Sequence, residues 1–136
     1  MREIDYIAIH CTGTVQNASI EGIKKYWKDT LKWSTVGYHV IIKAGGERVH
    51  LLGFDLISNG VAGFNHNSIN IAYIGGLVGK NSYIDTRTEQ QKLSMLVLLR
   101  DLKKLYPKAI IQGHRDFPNV NKACPCFDAI PEYKDI

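Results

Sequence analysis

The sequence predicts an α/β fold in which a single mixed β-sheet of about five strands carries helices packed on its faces. Two observations lead to this prediction. Short β-rich segments alternate with stretches of helical apolar periodicity, in the order β-α-β-β-β-α-β. No internal repeat, low-complexity tract or Pro/Ser-rich linker interrupts this order, so we expect residues 1–136 to form one domain.

The first strand is expected at residues 5–11, with Tyr6, Ala8 and His10 on one face and the apolar residues between them on the other. A helix should follow, and either Asn17 or Ser19 could cap its start. Its apolar stripe at helical spacing is Ile20, Ile23, Trp27 and Leu31.

A hairpin is expected next, with strands at residues 38–43 and 48–52 joined by a turn at Gly45-Gly46. Residues 59–67 have the composition of a loop. A further strand should cover residues 68–74 and end at Gly75-Gly76.

The second helix is expected to begin at a capping box formed by Thr86 and Glu89 and to end before Pro107. Its expected apolar residues are Leu93, Leu96, Val97 and Leu105. Residues 109–112 should form a last short strand. The remainder, residues 114–136, is expected to be irregular with a final short helix.

Composition sets limits on the class of protein. Of the 136 residues, 45% are hydrophobic and 22% are charged, as in ordinary globular proteins. No stretch approaches the roughly 20 apolar residues of a membrane helix, so we expect no membrane association. The N-terminal residues enter an alternating strand pattern directly and do not resemble a signal peptide. We therefore expect synthesis in the cytoplasm without a signal peptide.

Charge and cysteine content narrow the class further. The formal net charge of +4 fits a mildly basic enzyme or attraction to an anionic polymer such as a bacterial wall. The lysines spread over two solvated helix faces without a dense basic run, so no nucleic-acid partner is expected. Three cysteines do not make a disulfide framework, which favours a reducing compartment or metal binding.

Two of the five histidines stand where sites are usually built. His10 is at the end of the first strand, and His114 directly follows the last short strand. A third candidate ligand lies in residues 121–128, which contain the cysteines Cys124 and Cys126. Two imidazoles and one thiolate suit zinc, and three protein ligands leave a fourth position for water, as in catalytic sites. The spacing alone leaves ordinary structural or surface roles open for each residue.

Several segments together resemble the zinc-dependent N-acetylmuramoyl-L-alanine amidases of the phage-lysozyme type, a superfamily that includes the animal peptidoglycan recognition proteins. The segments are residues 9–12 (Ile-His-Cys-Thr), 37–42 (Gly-Tyr-His-Val-Ile-Ile), 61–71 with the following Gly75-Gly76, 113–116 (Gly-His-Arg-Asp) and 122–128 (Lys-Ala-Cys-Pro-Cys-Phe-Asp). They span nearly the whole chain, in the order and at the approximate spacing of the family.

The resemblance implies one zinc ion held by His10, His114 and Cys124, with water as the fourth ligand. Cys126 falls at a variable position of the family pattern, so Cys124 is preferred, although two thiols so close could exchange roles. The cysteine ligand is typically absent from superfamily members that only bind peptidoglycan. Its presence here favours an active enzyme.

The implied reaction is hydrolysis of the amide between N-acetylmuramic acid and L-alanine in bacterial peptidoglycan, with Tyr38 and Lys122 as catalytic residues. Lys122 would stabilise the negative oxygen of the tetrahedral intermediate. Tyr38 would orient the water, assist proton transfer or hydrogen-bond the intermediate. Without the resemblance, Tyr38 would be interpreted as a core residue and Lys122 as a solvated surface residue.

Four further residues receive provisional roles. His66 and Asn67 either line the substrate groove or belong to a loop stabilised by asparagine side chains. His39 is interpreted as structural or as a support for a ligand, and Asp128 either caps the terminal helix or orients a ligand.

Two rival functions remain open. One is a thiol hydrolase that uses Cys124 as its nucleophile and a histidine as its base. The other is a non-catalytic peptidoglycan-binding or regulatory protein. The expected setting of the amidase is a phage or prophage endolysin, a monomer that acts on the cell wall after release.

Overall fold

The computed structural model describes residues 2–136. Its strands are β1 (Tyr6–Cys11), β2 (Val40–Ile42), β3 (Arg48–His50), β4 (Ser68–Tyr73), β5 (Leu77–Val78), β6 (Ser82–Tyr83) and β7 (Ile110–Gly113). Its α-helices are α1 (Ile20–Lys25), α2 (Glu89–Leu105) and α3 (Ala129–Glu132). A π-helical turn at Tyr26–Thr30 extends α1, and 3₁₀ turns occupy Asn65–Asn67 and His114–Asp116.

The main sheet has five strands in the order β3-β2-β4-β1-β7. Strands β2, β4, β1 and β7 run parallel to their neighbours, and β3 pairs antiparallel with β2 through the expected turn at Gly45-Gly46. The prediction of one mixed sheet with helices on its faces is confirmed. The small hairpin formed by β5 and β6 was not predicted from the sequence.

The two faces of β1 differ, as its alternation predicts. Ile7, Ile9 and Cys11 belong to the larger core, which is shared with α2. Ala8 packs on the other face with Val61 and the loops beyond β7. The side of the sheet that carries α1 holds a separate cluster around Ile23, Trp27, Ile41 and Ile74. β1 lies between β4 and β7 and pairs with both as far as Ile9, and its last two residues pair with β4.

The start of α1 matches one of the two expected caps. Ser19 is the cap, and its hydroxyl accepts a hydrogen bond from the backbone N–H of Gly22 over 3.0 Å. Ile23 and Trp27 are buried as the stripe predicts, but Leu31 is exposed because the π-helical turn ends before it.

The expected cap of α2 is wrong. Thr88, not Thr86, caps the helix, and Gln91 completes the capping box. The hydroxyl of Thr86 instead accepts a hydrogen bond from the N–H of Gly76, which ties the strand end to the helix start.

The expected buried face of α2 is also largely wrong. The helix buries Met95, Leu98, Leu99 and Leu102, which follow an i, i+3, i+4, i+7 spacing, and exposes Leu93, Val97 and Leu105. The helix ends at Leu105, before Pro107, as expected. Among residues 2–136, no helix combines the length and apolarity needed to cross a bilayer.

Candidate active site

The carboxyl ends of β1 and β7 bring the two leading histidines together. His10 is the fifth residue of β1, and His114 opens the 3₁₀ turn that directly follows β7. Their ring centroids lie 4.7 Å apart. Adjacent parallel strands end at the same sheet edge, which is where open α/β sheets usually place their sites.

Cys124 completes the group. One donor atom each from His10, His114 and Cys124 lies within 4.8 Å of the other two, and the Sγ atom of Cys124 is 3.9 Å from Nδ1 of His10. Cys126 lies elsewhere, with its Sγ 3.8 Å from Sγ of Cys11. The structure thus brings Cys124, and not Cys126, to the histidines.

The backbone around Arg115 places Cys124. The N–H of Arg115 donates to the carbonyl oxygen of Cys124 over 2.9 Å, and its guanidinium donates to the carbonyl oxygen of Ala123 over 3.2 Å. The same guanidinium pairs with Asp128 at 2.6 Å. Asp128 occupies the position before α3, but its side chain binds Arg115 and does not cap the helix. The N–H of Cys11 also donates to the Cys124 sulfur over 3.2 Å.

The donor set fits a zinc ion. A tetrahedral zinc with bonds of about 2.0–2.3 Å places its ligand atoms about 3.3–3.8 Å apart, close to the 3.9 Å between Sγ of Cys124 and Nδ1 of His10. Imidazole nitrogen and thiolate sulfur are the donors that zinc prefers over magnesium or calcium. Three ligands leave one position for a water or a substrate oxygen.

The electrostatics of the histidines favour metal binding. Burial, together with the nearby charge of Lys122, lowers the pKa of His10 to about 4, although the hydrogen bond with Asn70 opposes the shift. Burial, then the proximity of His10 and Lys122, lowers the pKa of His114 to about 3. Both rings are therefore neutral at pH 7, which is the form that binds metals.

A cavity of about 500 Å³ opens over these residues. Its lining residues are His10, Cys11, Thr12, Gly13, Trp33, Tyr38, Asn59, Gly60, Tyr83, His114, Asn121, Lys122, Ala123 and Cys124. All five residues expected to bind metal or catalyse the reaction are among them. A second groove, of about 680 Å³, adjoins the cavity, and the two share Thr12, Gly13, Trp33, Tyr38 and Lys122.

Tyr38 and Lys122 reach the cavity in different ways. Tyr38 precedes β2, and its hydroxyl donates to the carbonyl oxygen of Cys11 over 3.3 Å. Burial, and then the neighbouring thiols of Cys124 and Cys11, raise the pKa of Tyr38 well above its usual value. Lys122 is exposed at the rim. One side chain is therefore a neutral phenol in the wall, and the other is a solvated cation.

The structure does not bring His66 and Asn67 to the cavity. β4 runs from Ser68, which is level with Tyr6, to Tyr73, which is level with Cys11. Asn67 precedes β4 and so lies at the opposite sheet edge from the metal ligands, where its amide donates to Asp5 over 2.9 Å. His66 is exposed beside it. We therefore leave both residues out of the proposed site.

Several lining residues were not identified from the sequence. Trp33, Tyr83, Asn59 and Asn121 lie in loops or the unpredicted hairpin, and no local pattern marks them. Asn70 did carry a signal. It is an amide in the middle of an otherwise apolar strand, and a buried amide must find hydrogen-bond partners.

His39 is buried and bound to the backbone. Its Nδ1 accepts from the N–H of Asn70 over 3.0 Å, and its Nε2 lies 2.8 Å from the carbonyl oxygen of Leu56. These contacts fit the structural role, which was one of the two roles expected for His39.

Comparison with known proteins agrees with the geometry. Residues 1–127 match the family model described as N-acetylmuramoyl-L-alanine amidase. An endolysin of Enterobacteria phage K11 is 32% identical over 129 residues, which are 93% of this chain and 83% of the relative.

Solved structures share the fold. The Ph2119 endolysin from the Thermus scotoductus bacteriophage superposes with a TM-score of 0.82 at 24% identity, covering 97% of this chain and 83% of that one. The Apis mellifera peptidoglycan recognition protein PGRP-SA superposes with a TM-score of 0.78 at 23% identity, covering 97% and 82%.

Proposed function

We propose that this chain, which belongs to the N-acetylmuramoyl-L-alanine amidase family, is an active hydrolase. Its substrate is the amide between N-acetylmuramic acid and L-alanine in bacterial peptidoglycan. The observation that carries the proposal is the convergence of His10, His114 and Cys124 in a cavity that also presents Tyr38 and Lys122. The relative from phage K11 is named endolysin. We propose that this chain is also an endolysin, which acts on the cell wall after its release.

Zinc is the proposed cofactor. When bound, it would supply Lewis acidity that polarises the amide carbonyl and makes a water molecule acidic enough to attack near neutral pH. His10 and His114 offer neutral nitrogen donors, and Cys124 offers sulfur. The thiolate of Cys124 would partly neutralise the zinc ion. A nearby cation would therefore contribute more to stabilising negative charge on the substrate.

Lys122 is that cation. It lies at the rim of the cavity, where its flexible side chain can approach an amide oxygen as that oxygen gains negative charge. Removing one such donor typically costs about a hundredfold to a thousandfold in rate. Tyr38 keeps its phenol proton at neutral pH and acts as a hydrogen-bond donor from the wall.

The adjoining groove takes the stem peptide. It runs from the cavity along α1, and aromatic side chains line it, among them Tyr26, Trp27 and Trp33. The indoles of Trp27 and Trp33 stack with 6.3 Å between their centroids. An apolar, aromatic groove with few polar groups is typical of binding sites for small organic ligands and peptides.

The proposal is tested on purified peptidoglycan with products identified by mass spectrometry. We expect the metal-loaded protein to release peptides with a new N-terminal alanine and to leave intact lactyl groups on the glycan. A chelator should abolish the release, and added zinc should restore it.

The same assay separates the rivals. Activity that survives the chelator would support Cys124 as a nucleophile, because its sulfur already lies 3.9 Å from an imidazole. Wall binding without new N-terminal alanine would support a binding protein and overturn the amidase proposal.

A further inference from the structure

We propose that Asn70 is a positioning residue that holds the ring of His10 in the tautomer with its proton on Nε2, so that the lone pair of Nδ1 points to the metal site. This inference rests on the proposed zinc site and goes beyond it, because it assigns a role to a residue that touches neither the cavity nor the substrate. Ligand histidines in general depend on such a partner to set their tautomer and orientation.

The argument begins at the backbone of the loop beside the cavity. The N–H groups of Gly60 and Val61 both donate to Oδ1 of Asn65, over 3.0 Å and 2.7 Å. A backbone N–H can only donate. The atom of Asn65 that receives both bonds must therefore be its oxygen, and the orientation of this amide is unambiguous.

The orientation of Asn70 follows from that of Asn65. One atom of the Asn70 amide lies 3.3 Å from Oδ1 of Asn65 and 2.8 Å from Oγ of Ser58. Because Oδ1 of Asn65 can only accept, the atom that faces it must be Nδ2 of Asn70. The other amide atom of Asn70, which faces His10, is therefore its oxygen.

The tautomer of His10 is the last step. Oδ1 of Asn70 lies 2.9 Å from Nε2 of His10, so Nε2 must carry the proton and donate it. Nδ1 then holds the lone pair, and this is the atom that lies 3.9 Å from the sulfur of Cys124. His10 is 1% exposed and Asn70 is fully buried, so bulk water cannot take over the hydrogen bond.

The surroundings leave Asn70 no alternative position. Its backbone N–H donates to Nδ1 of His39 over 3.0 Å, which holds the main chain. A Cβ atom on Gly60 would clash with the side-chain amide of Asn70, so the loop backbone lies directly against that amide. The loop that forms one wall of the cavity thus also sets the direction of a metal ligand.

The test measures the tautomer directly in the metal-free full chain, by long-range ¹H–¹⁵N NMR of the histidine rings near pH 7. We expect the wild-type protein to show the proton of His10 on Nε2. Asn70→Leu should produce a mixture of tautomers and weaken zinc binding about 10- to 100-fold in a chelator competition. Asn70→Asp keeps an acceptor towards Nε2 but loses the N–H donor towards Asn65 and Ser58, so it should keep the proton on Nε2 and bind zinc more tightly than Asn70→Leu, with a lower Tm than wild type.

Asn67→Ala is the matched control. It removes an asparagine just before the same strand whose amide bonds to Asp5, far from His10, and it should change neither tautomer nor affinity. A wild-type proton on Nδ1 would overturn the proposal. So would a folded Asn70→Leu protein with unchanged tautomer and affinity. If that variant fails to fold, the wild-type spectrum and Asn70→Asp decide the question.

The outcome is separable from that of the proposed function. A chain that binds zinc through the expected tautomer but releases no alanine would leave the role of Asn70 intact and overturn the amidase.

Discussion

The phenol ring of Tyr38 packs against the imidazole of His10, with 5.0 Å between the ring centroids. The same ring meets the indole of Trp27 edge-on at 5.4 Å. Its packing therefore shapes the wall of the cavity independently of its hydroxyl, and the two contributions can be separated by mutation.

Tyr38→Phe removes the hydroxyl and keeps the ring. We expect kcat on peptidoglycan to fall about a hundredfold, because the wall of the cavity loses a hydrogen-bond donor. Zinc content and Tm should stay close to wild type, as measured by metal analysis and calorimetry. Wild-type turnover in Tyr38→Phe would assign the residue a packing role only.

Lys122→Ala should lower kcat about a hundredfold to a thousandfold while zinc content stays unchanged, because the charge acts on the substrate oxygen. Lys108→Ala, an exposed lysine outside the cavity, is the matched control for the loss of one positive charge and should retain full activity. Equal effects of the two substitutions in initial-rate measurements would argue against a specific role for Lys122.

Cys124→Ser should reduce the zinc content from about one ion per chain to near zero after dialysis, since it replaces the only sulfur among the three ligands. Cys126→Ser should leave zinc bound, because that sulfur faces Cys11 and the carbonyl oxygen of Gly76. Metal analysis of both proteins checks the assignment, and the reverse result would move the ligand to Cys126.

Arg87 anchors the start of α2 to the C-terminal segment. Its side chain is 2% exposed, pairs with Asp85 at 2.9 Å and Glu132 at 2.7 Å, and lies 3.4 Å over the ring of Phe127. Arg87→Met should lower the free energy of unfolding by about 3 kcal/mol, because the two carboxylates lose their partner. Arg48→Met removes the more exposed ion pair of Arg48 with Asp101. It should lower the free energy of unfolding by no more than about 1 kcal/mol in urea titrations.

The same cluster predicts a loss of stability in acid. The hydrogen bonds from Arg87 lower the pKa of Glu132, although partial burial opposes the shift. A carboxyl with a lowered folded pKa stabilises the fold above its unfolded pKa of about 4.3 and loses that contribution as pH falls through the folded value. Tm should therefore decline below about pH 4, and less steeply in Arg87→Met. Equal slopes of Tm against pH in wild type and Arg87→Met would contradict this linkage.

The parts of the fold that follow from local chemistry were predictable. The alternation in β1 placed His10 and Cys11 on opposite faces, and paired glycines marked the turn after β2. The positions of His10 and His114 at strand ends were enough to suggest a site. The resemblance added Cys124, Tyr38 and Lys122, which occupy no position that spacing alone would distinguish.

Errors arose where tertiary contacts decide between similar local choices. Thr86 and Thr88 are both threonines just before α2, and either could cap the helix. The hydroxyl of Thr86 binds the N–H of Gly76, and Thr88 is the cap. The buried face of α2 depends on its rotation against the sheet, so Leu93 and Met95 were not distinguishable in advance. His66 lies in a segment that carries the family resemblance, but strand direction places it at the other sheet edge.

The three proposed ligands come from the first strand, the end of the last strand and the loop that follows it. During synthesis, a chain that has emerged only as far as His114 holds two of them and lacks the third. A site with all three proposed ligands therefore requires residue 124 to have left the ribosome and packed against β1, where the N–H of Cys11 donates to its sulfur.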